Sequence, residues 1–161
     1  MYYSQLNKLD TVNGPGCRVS LFVSGCNHGC KGCWNPETWD FKNGSIFTND
    51  QVSTIVNLLN QDFYSGFSLL GGEPLAKRNL PDVIELLKII KSNCKNNNIW
   101  VWSGYYLNEL TVSNNPLHQE VLQYIDVLVD GRYDESLRDL TLQYRGSSNQ
   151  TINYLKRDSY E

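Results

Sequence analysis

Four short apolar runs, each closed by a polar or glycine-rich motif and separated by stretches of helical periodicity, restrict this chain to a narrow set of folds. Residues 17–24 (Cys-Arg-Val-Ser-Leu-Phe-Val-Ser), 67–70 (Phe-Ser-Leu-Leu), 99–102 (Ile-Trp-Val-Trp) and 127–129 (Val-Leu-Val) read as strands, the first entered through the turn Gly14-Pro15-Gly16. After the first strand, Thr48 or Asn49 caps a helix that carries Val52, Ile55, Val56 and Leu59 on one face. Pro81 sits in the first turn of another, with Val83, Leu86, Leu87 and Ile90 facing inward and Asn96-Asn97-Asn98 breaking it. A polar segment with Leu107, Leu110, Leu117 and Val121 is also helical in spacing. Strand–helix alternation of this kind favours a parallel sheet covered by helices. A complete eight-stranded barrel takes about 250 residues, and this chain has 161. The expectation is therefore an α/β chain forming one domain over residues 1–161, a partial, truncated and open β/α barrel.

In such folds ligands gather at the C-terminal ends of the strands, and the unusual motifs of this chain all fall there. The first strand delivers Cys26-x-x-x-Cys30-x-x-Cys33, the second Gly71-Gly72-Glu73-Pro74, the third Ser103-Gly104-Tyr105 and the fourth Asp130-Gly131-Arg132. Together they read as one site. A glycine pair lets backbone approach a ligand closely, and Glu73 beside it can accept a bond from an ammonium group; alone, the motif reads equally well as a tight turn with a solvated glutamate.

Three closely spaced thiolates suit a cuboidal iron–sulfur cluster held by three of its four irons, with one iron left open, whereas ordinary clusters use four cysteines. Zinc would need a fourth ligand, from His28 or His118, and the second cysteine pair typical of structural zinc sites is absent. The five cysteines are an odd number, and the polar start Met1-Tyr2-Tyr3-Ser4-Gln5 is not a secretory signal, so a disulfide framework fits poorly. Cys17 and Cys94 stand apart and read as core thiols. His28 reads as a loop residue, at the surface or beside the metal ligands, with the surface favoured by its polar neighbours.

Composition narrows the setting. With 14 basic against 17 acidic residues, a net charge of -3 and no basic block, nothing marks a nucleic-acid footprint. The apolar runs are far shorter than a membrane span. A cytoplasmic enzyme is the expectation.

Taken together, the cysteine loop after the first strand (Cys26, Cys30, Cys33) and Gly71, Gly72, Glu73 and Pro74 after the second resemble the radical S-adenosylmethionine superfamily. That resemblance implies a 4Fe-4S cluster, one per chain, whose open iron is chelated by S-adenosylmethionine, with the glycine motif holding the amino group. Many members place an aromatic residue just before the third cysteine, near adenine. This chain has Gly32 there, so the adenine contact implied falls to the Gly32-Cys33 backbone and Trp34.

A narrower resemblance spans nearly the whole chain. Val12-Asn13-Gly14-Pro15-Gly16, Trp39, Trp100-Val101-Trp102-Ser103-Gly104-Tyr105, Val127-Leu128-Val129-Asp130-Gly131 and Arg145-Gly146-Ser147-Ser148-Asn149-Gln150 are similar to the family that activates anaerobic (class III) ribonucleotide reductases. It implies an oxidoreductase that cleaves S-adenosylmethionine reductively to a 5'-deoxyadenosyl radical and installs a glycyl radical on the large reductase subunit, fed by a flavodoxin or ferredoxin-type donor. By analogy with related activases, Asp130, Arg132 and Ser103 contact ribose or the methionine carboxylate, or form a local ion pair on the rim. No protein acid or base is required. Residues 145–150 are expected to border the open site and receive the partner's glycine loop, and Tyr2, Tyr3, Trp34 and Trp39 are candidates for a docking surface. Two alternatives stay open: another radical S-adenosylmethionine enzyme, acting on a small molecule or on a different glycyl-radical protein, and a noncatalytic zinc or iron–sulfur binding module.

Overall fold

The computed structural model describes residues 1–33 and 36–156. Its elements in chain order are β1 (Tyr2–Asp10), β2 (Arg18–Val23), β3 (Ser45–Ile46), α1 (Asn49–Leu59), β4 (Gly66–Gly71), α2 (Leu80–Asn93), β5 (Ile99–Ser103), α3 (Leu107–Thr111), α4 (Pro116–Leu122), β6 (Val127–Asp130) and β7 (Thr151–Tyr154), with short 3-10 turns at Pro36–Trp39 and Glu135–Leu137. Among the described residues, seven strands form one open sheet in the order β3-β1-β2-β4-β5-β6-β7. Neighbours among β2, β4, β5 and β6 are parallel, as expected from the four apolar runs. Antiparallel strands flank this parallel centre, β1 and β3 on one side and β7 on the other.

The helices follow their local signals. Thr48 caps α1 by accepting the Asp50 amide, while Gln51 returns its side chain to the Thr48 N–H, a reciprocal capping box. Pro81 stands in the first turn of α2, where its missing N–H costs nothing. The 107–121 segment is two helices rather than one, because Asn115-Pro116 starts a fresh turn, with the Asn115 side chain accepting from Leu117 N.

Helices α1, α2, α3 and α4 bury their apolar stripes in one core. Val19, Leu21 and Val23 of β2, Phe67 and Leu69 of β4, and Val101 of β5 meet Ile55, Leu59, Val83, Leu87, Leu110 and Val121 there. On the opposite sheet face a second cluster is aromatic, with Trp100, Val127 and Val129 packed by Trp102, Tyr144 and Ile152. The same face carries Arg18, only 1% exposed. Its guanidinium donates to Ser68 Oγ, Pro15 O, Phe67 O, Asn98 O and Asn98 Oδ1, and lies 5.9 Å from the Trp100 ring centroid. Burial lowers its pKa to about 10, so it remains charged at neutral pH. This hub ties together the N-terminal ends of β2, β4 and β5. The opposite ends are thereby left to the loops. Among the described residues, no helix is long and apolar enough to cross a membrane.

Candidate active site

Parallel register sets the C-terminal strand ends side by side. Val23 pairs with Gly71, and Ser103 with Asp130. Gly71 adopts φ 115°, a left-handed turn that side chains resist, and this swings the chain from β4 back over β2. Gly72 N then donates to Val23 O at 2.8 Å and Glu73 N to Gly25 O at 2.7 Å. The cysteine loop is anchored at the same place, through Gly25 N to Thr38 O (2.6 Å) and Cys26 N to Trp39 O (3.1 Å). The two motifs that the sequence singled out separately form one stitched unit.

Glu73 lies at its centre. The side chain is 1% exposed. Oε1 accepts from Leu75 N at 2.9 Å and Ser103 Oγ at 2.8 Å, and Oε2 from Gly104 N at 2.7 Å, with His28 Nε2 also 2.7 Å from Oε2. Four bonds occupy the lone-pair sites of a carboxylate, so Glu73 is neither a solvated glutamate nor a group with a free acceptor in this geometry. His28, expected at the surface, is turned inward instead: its side chain is 11% exposed and its ring meets Tyr105 edge-on at 4.7 Å. A contact across 45 residues leaves no local trace in a sequence.

Cys26, Cys30 and Cys33 share one partly buried loop. Burial, together with the nearby Glu73, Cys30 and Cys33, pushes the Cys26 thiol up to about 11, against the His28 amide that hydrogen-bonds its sulfur. Cys30 is likewise raised, by burial and then by Cys33, while the Tyr133 amide and Arg132 pull it back. Three soft sulfurs close enough to repel one another as anions suit a cationic iron–sulfur centre that takes up their charge as the protons leave. Among the described residues, no three His, Cys, Asp or Glu side chains converge on a single metal ion. His118 is engaged at both ring nitrogens, with Ser113 Oγ and Leu75 O, and is no zinc ligand. Cys94 is buried and Cys17 packs against the core, apart from the loop.

The far side of the rim comes from β6. Asp130 is 5% exposed; its Oδ2 accepts the Leu107 amide at 2.7 Å, and its Oδ1 has no hydrogen-bond partner among the described residues. Arg132 pairs with Glu109 at 3.0 Å rather than with Asp130, donates to Gly104 O and lies over the Tyr106 ring. The Tyr106 amide and this arginine hold the Glu109 carboxyl below its ordinary value. The 145–150 segment is no free surface turn. Asn149 donates to Tyr106 OH and Arg132 O, and Gln150 to Gly131 O, which docks the segment on the end of β6.

Between these parts opens a cleft of about 560 Å³, bounded by Lys31 of the cysteine loop and by Tyr106, Arg132, Tyr133, Glu135 and Asn149. Gly32 is at its edge, against Glu135. Ser103 is spent on Glu73 and the Tyr105 amide, and Pro74 is buried. Trp34 lies outside the described residues. Of the aromatic docking candidates, Trp39 is 38% exposed, whereas Tyr3 packs on Phe47.

Residues 12–153 match a protein-family model described as a 4Fe-4S single cluster domain. The anaerobic ribonucleoside-triphosphate reductase-activating protein of Escherichia coli (strain K12) is 44% identical over 158 residues, 97% of this chain and 100% of that protein. The protein of the same name from Vibrio cholerae serotype O1 is 44% identical over 94% of this chain and 97% of its own length. A third, from Enterobacteria phage T4, is 38% identical over 94% of this chain and 93% of its own.

Proposed function

Because the chain belongs to the anaerobic ribonucleoside-triphosphate reductase-activating protein family, we propose that it activates an anaerobic ribonucleotide reductase by installing a glycyl radical on that partner's large subunit. The structural observation that carries this reading is the stitching of the cysteine loop to Gly71–Pro74 through Gly72 N–Val23 O, Glu73 N–Gly25 O and His28–Glu73. It makes the metal-ligand loop and the strand-end rim one rigid unit. A passive metal module has no need of such a rim, which is how the reading differs from a noncatalytic one.

Cys26, Cys30 and Cys33 would hold a 4Fe-4S cluster through three irons. When bound, the cluster would supply one-electron chemistry, reducing the sulfonium of S-adenosylmethionine to methionine and a 5'-deoxyadenosyl radical able to take hydrogen from a glycine Cα of the partner. The residues of this chain bind, orient and exclude water. With Glu73 committed to holding the rim, the cosubstrate ammonium would be held by backbone of the Gly71–Gly72 turn. Asp130 Oδ1, a buried acceptor whose unmade bond costs about 1–3 kcal/mol, suits a ribose hydroxyl, and Arg132 suits a carboxylate. The cleft beside Asn149 is the entry for the partner's glycine segment. A flavodoxin or ferredoxin-type protein would deliver the electron. Positioning of this kind, rather than acid–base chemistry, is the protein's contribution.

The experiment is anaerobic reconstitution with iron and sulfide, reduction, and electron paramagnetic resonance with and without S-adenosylmethionine, followed by addition of the reductase. A cluster signal that requires Cys26, Cys30 and Cys33 and changes with the cosubstrate, then gives way to an organic radical on the reductase, is the expected outcome. A colourless protein that holds zinc and no reducible cluster sinks the proposal. Wild-type partner binding and activation in both Arg145→Ala and Asn149→Ala would remove residues 145–150 from the partner's entry path.

A further inference from the structure

Of the three residues between Cys26 and Cys30, Asn27 and Gly29 face solvent and only His28 turns inward. It enters a slot shaped for an imidazole. Gly104 forms the floor, where a β-carbon would stand 2.5 Å from His28 Cδ2, and Tyr105 forms a wall at 4.7 Å between ring centroids. At the end of the slot, Glu73 Oε2 lies 2.7 Å from Nε2. The carboxylate is itself fixed by Leu75 N, Ser103 Oγ and Gly104 N, so the imidazole meets an acceptor that cannot swing. One side-chain bond thus fastens the arc between two metal ligands to the ends of both β4 and β5.

We propose that His28 is a positioning residue: through Glu73 it sets where the cysteine loop stands relative to the strand-end rim, and so how the cluster and S-adenosylmethionine meet. The inference rests on the radical reading above. Groups that orient metal ligands without touching the metal typically alter affinity or activity by about 10–100-fold, and the same scale applies to a loop whose ligands are intact but misplaced. A glutamine amide reaches as far as Nε2; an asparagine amide falls short of Glu73.

The test compares His28→Ala, His28→Gln and His28→Asn with wild type, after circular dichroism of each apo protein. In His28→Ala, iron per chain is expected to match wild type, because all three cysteines remain. The change in the cluster's resonance on adding S-adenosylmethionine is expected to be lost or reduced, and KM for its reductive cleavage to rise about tenfold. His28→Gln recovers both and His28→Asn neither. Wild-type line shape and KM in His28→Ala would overturn the proposal, and so would loss of iron, which would make His28 an assembly residue. Should the alanine variant not fold, the contrast between glutamine and asparagine decides: equal behaviour of the two overturns the positioning role. If wild type itself lacks a cosubstrate-dependent signal, the radical function fails and not this assignment alone.

Discussion

Gly72 lies so close to Gly25 that a β-carbon added to it would stand 2.6 Å from the Gly25 carbonyl oxygen and 2.8 Å from that of Thr38. Both obstacles are backbone, and neither can rotate away. Gly72→Ala must therefore push the cysteine loop off the end of β4. The expected result is a folded protein, since the core lies below this contact, with cluster content or cosubstrate affinity reduced at least about tenfold. Iron analysis beside a thermal melt checks it; an unchanged site in Gly72→Ala would show that the loop is not held by this contact.

Gly104→Ala reaches the same unit from the other side. Its new methyl would collide with the His28 ring, and the backbone there has no positive φ to complicate the result. The variant is expected to reproduce the His28→Ala phenotype, and the double variant to add little, because contacting residues are not independent. Additive losses in a double-mutant cycle would contradict the slot.

Arg18 predicts stability rather than activity. Its five bonds come from three nitrogens of one planar group, a geometry that lysine cannot match. Arg18→Lys is expected to cost about 3 kcal/mol, because an ammonium has three donors for the five bonds and each of the two lost is worth about 1.5 kcal/mol. That corresponds to roughly 6–12 °C in Tm for a chain of this size. Calorimetry reads it directly, and the folded fraction should retain its resonance signature.

Asp10, 3% exposed at the end of β1, gives a pH prediction. Burial raises its carboxyl pKa, but bonds from Ser20 Oγ, Asn13 Nδ2 and the Val12 and Asn13 amides outweigh burial and leave it below the ordinary value. A depressed carboxyl stabilises the fold above the unfolded pKa of about 3.9 and loses that contribution as pH falls through the lower folded value. Asp10→Asn should thus melt below wild type at neutral pH, and the gap should close under about pH 4. A constant gap down to pH 2 would contradict it.

The cysteines divide cleanly. Cys94→Ala removes a buried thiol and is expected to cost about 1 kcal/mol while leaving iron content unchanged, and Cys17→Ser should also load fully. Cys26→Ser should lose the cluster. Iron and sulfide analysis of the three variants distinguishes ligands from core thiols.

The parallel centre was legible because buried strands must be apolar: β2, β4, β5 and β6 fall within a residue or two of the runs read as strands. The flanking strands were not. β1 (Tyr-Tyr-Ser-Gln-Leu-Asn-Lys-Leu-Asp) and β7 (Thr-Ile-Asn-Tyr) are largely half-buried or exposed, so neither face demands a continuous apolar run, and β3 is two residues long. At the site, spacing placed the motifs on one rim, since strand ends of a parallel sheet share a side. It said nothing of what the side chains would do to one another. Glu73 offered a carboxylate to a ligand on paper; in the fold Ser103, Gly104, Leu75 and His28 all claim it. The claims of Ser103, Gly104 and His28 join residues 30 to 45 positions apart in the chain, which no local pattern encodes.

The Arg18 hub gathers the N-terminal ends of β2, β4 and β5, while the cysteine loop and Gly71–Pro74 occupy the opposite ends. On the proposed function, heat resistance and reactivity are therefore set at opposite poles of the same strands. Substitutions that harden the chain can be sought around Arg18, Ser68 and Asn98 with the length of each strand as insulation, and a variant improved there should hand its partner the same radical at a higher working temperature.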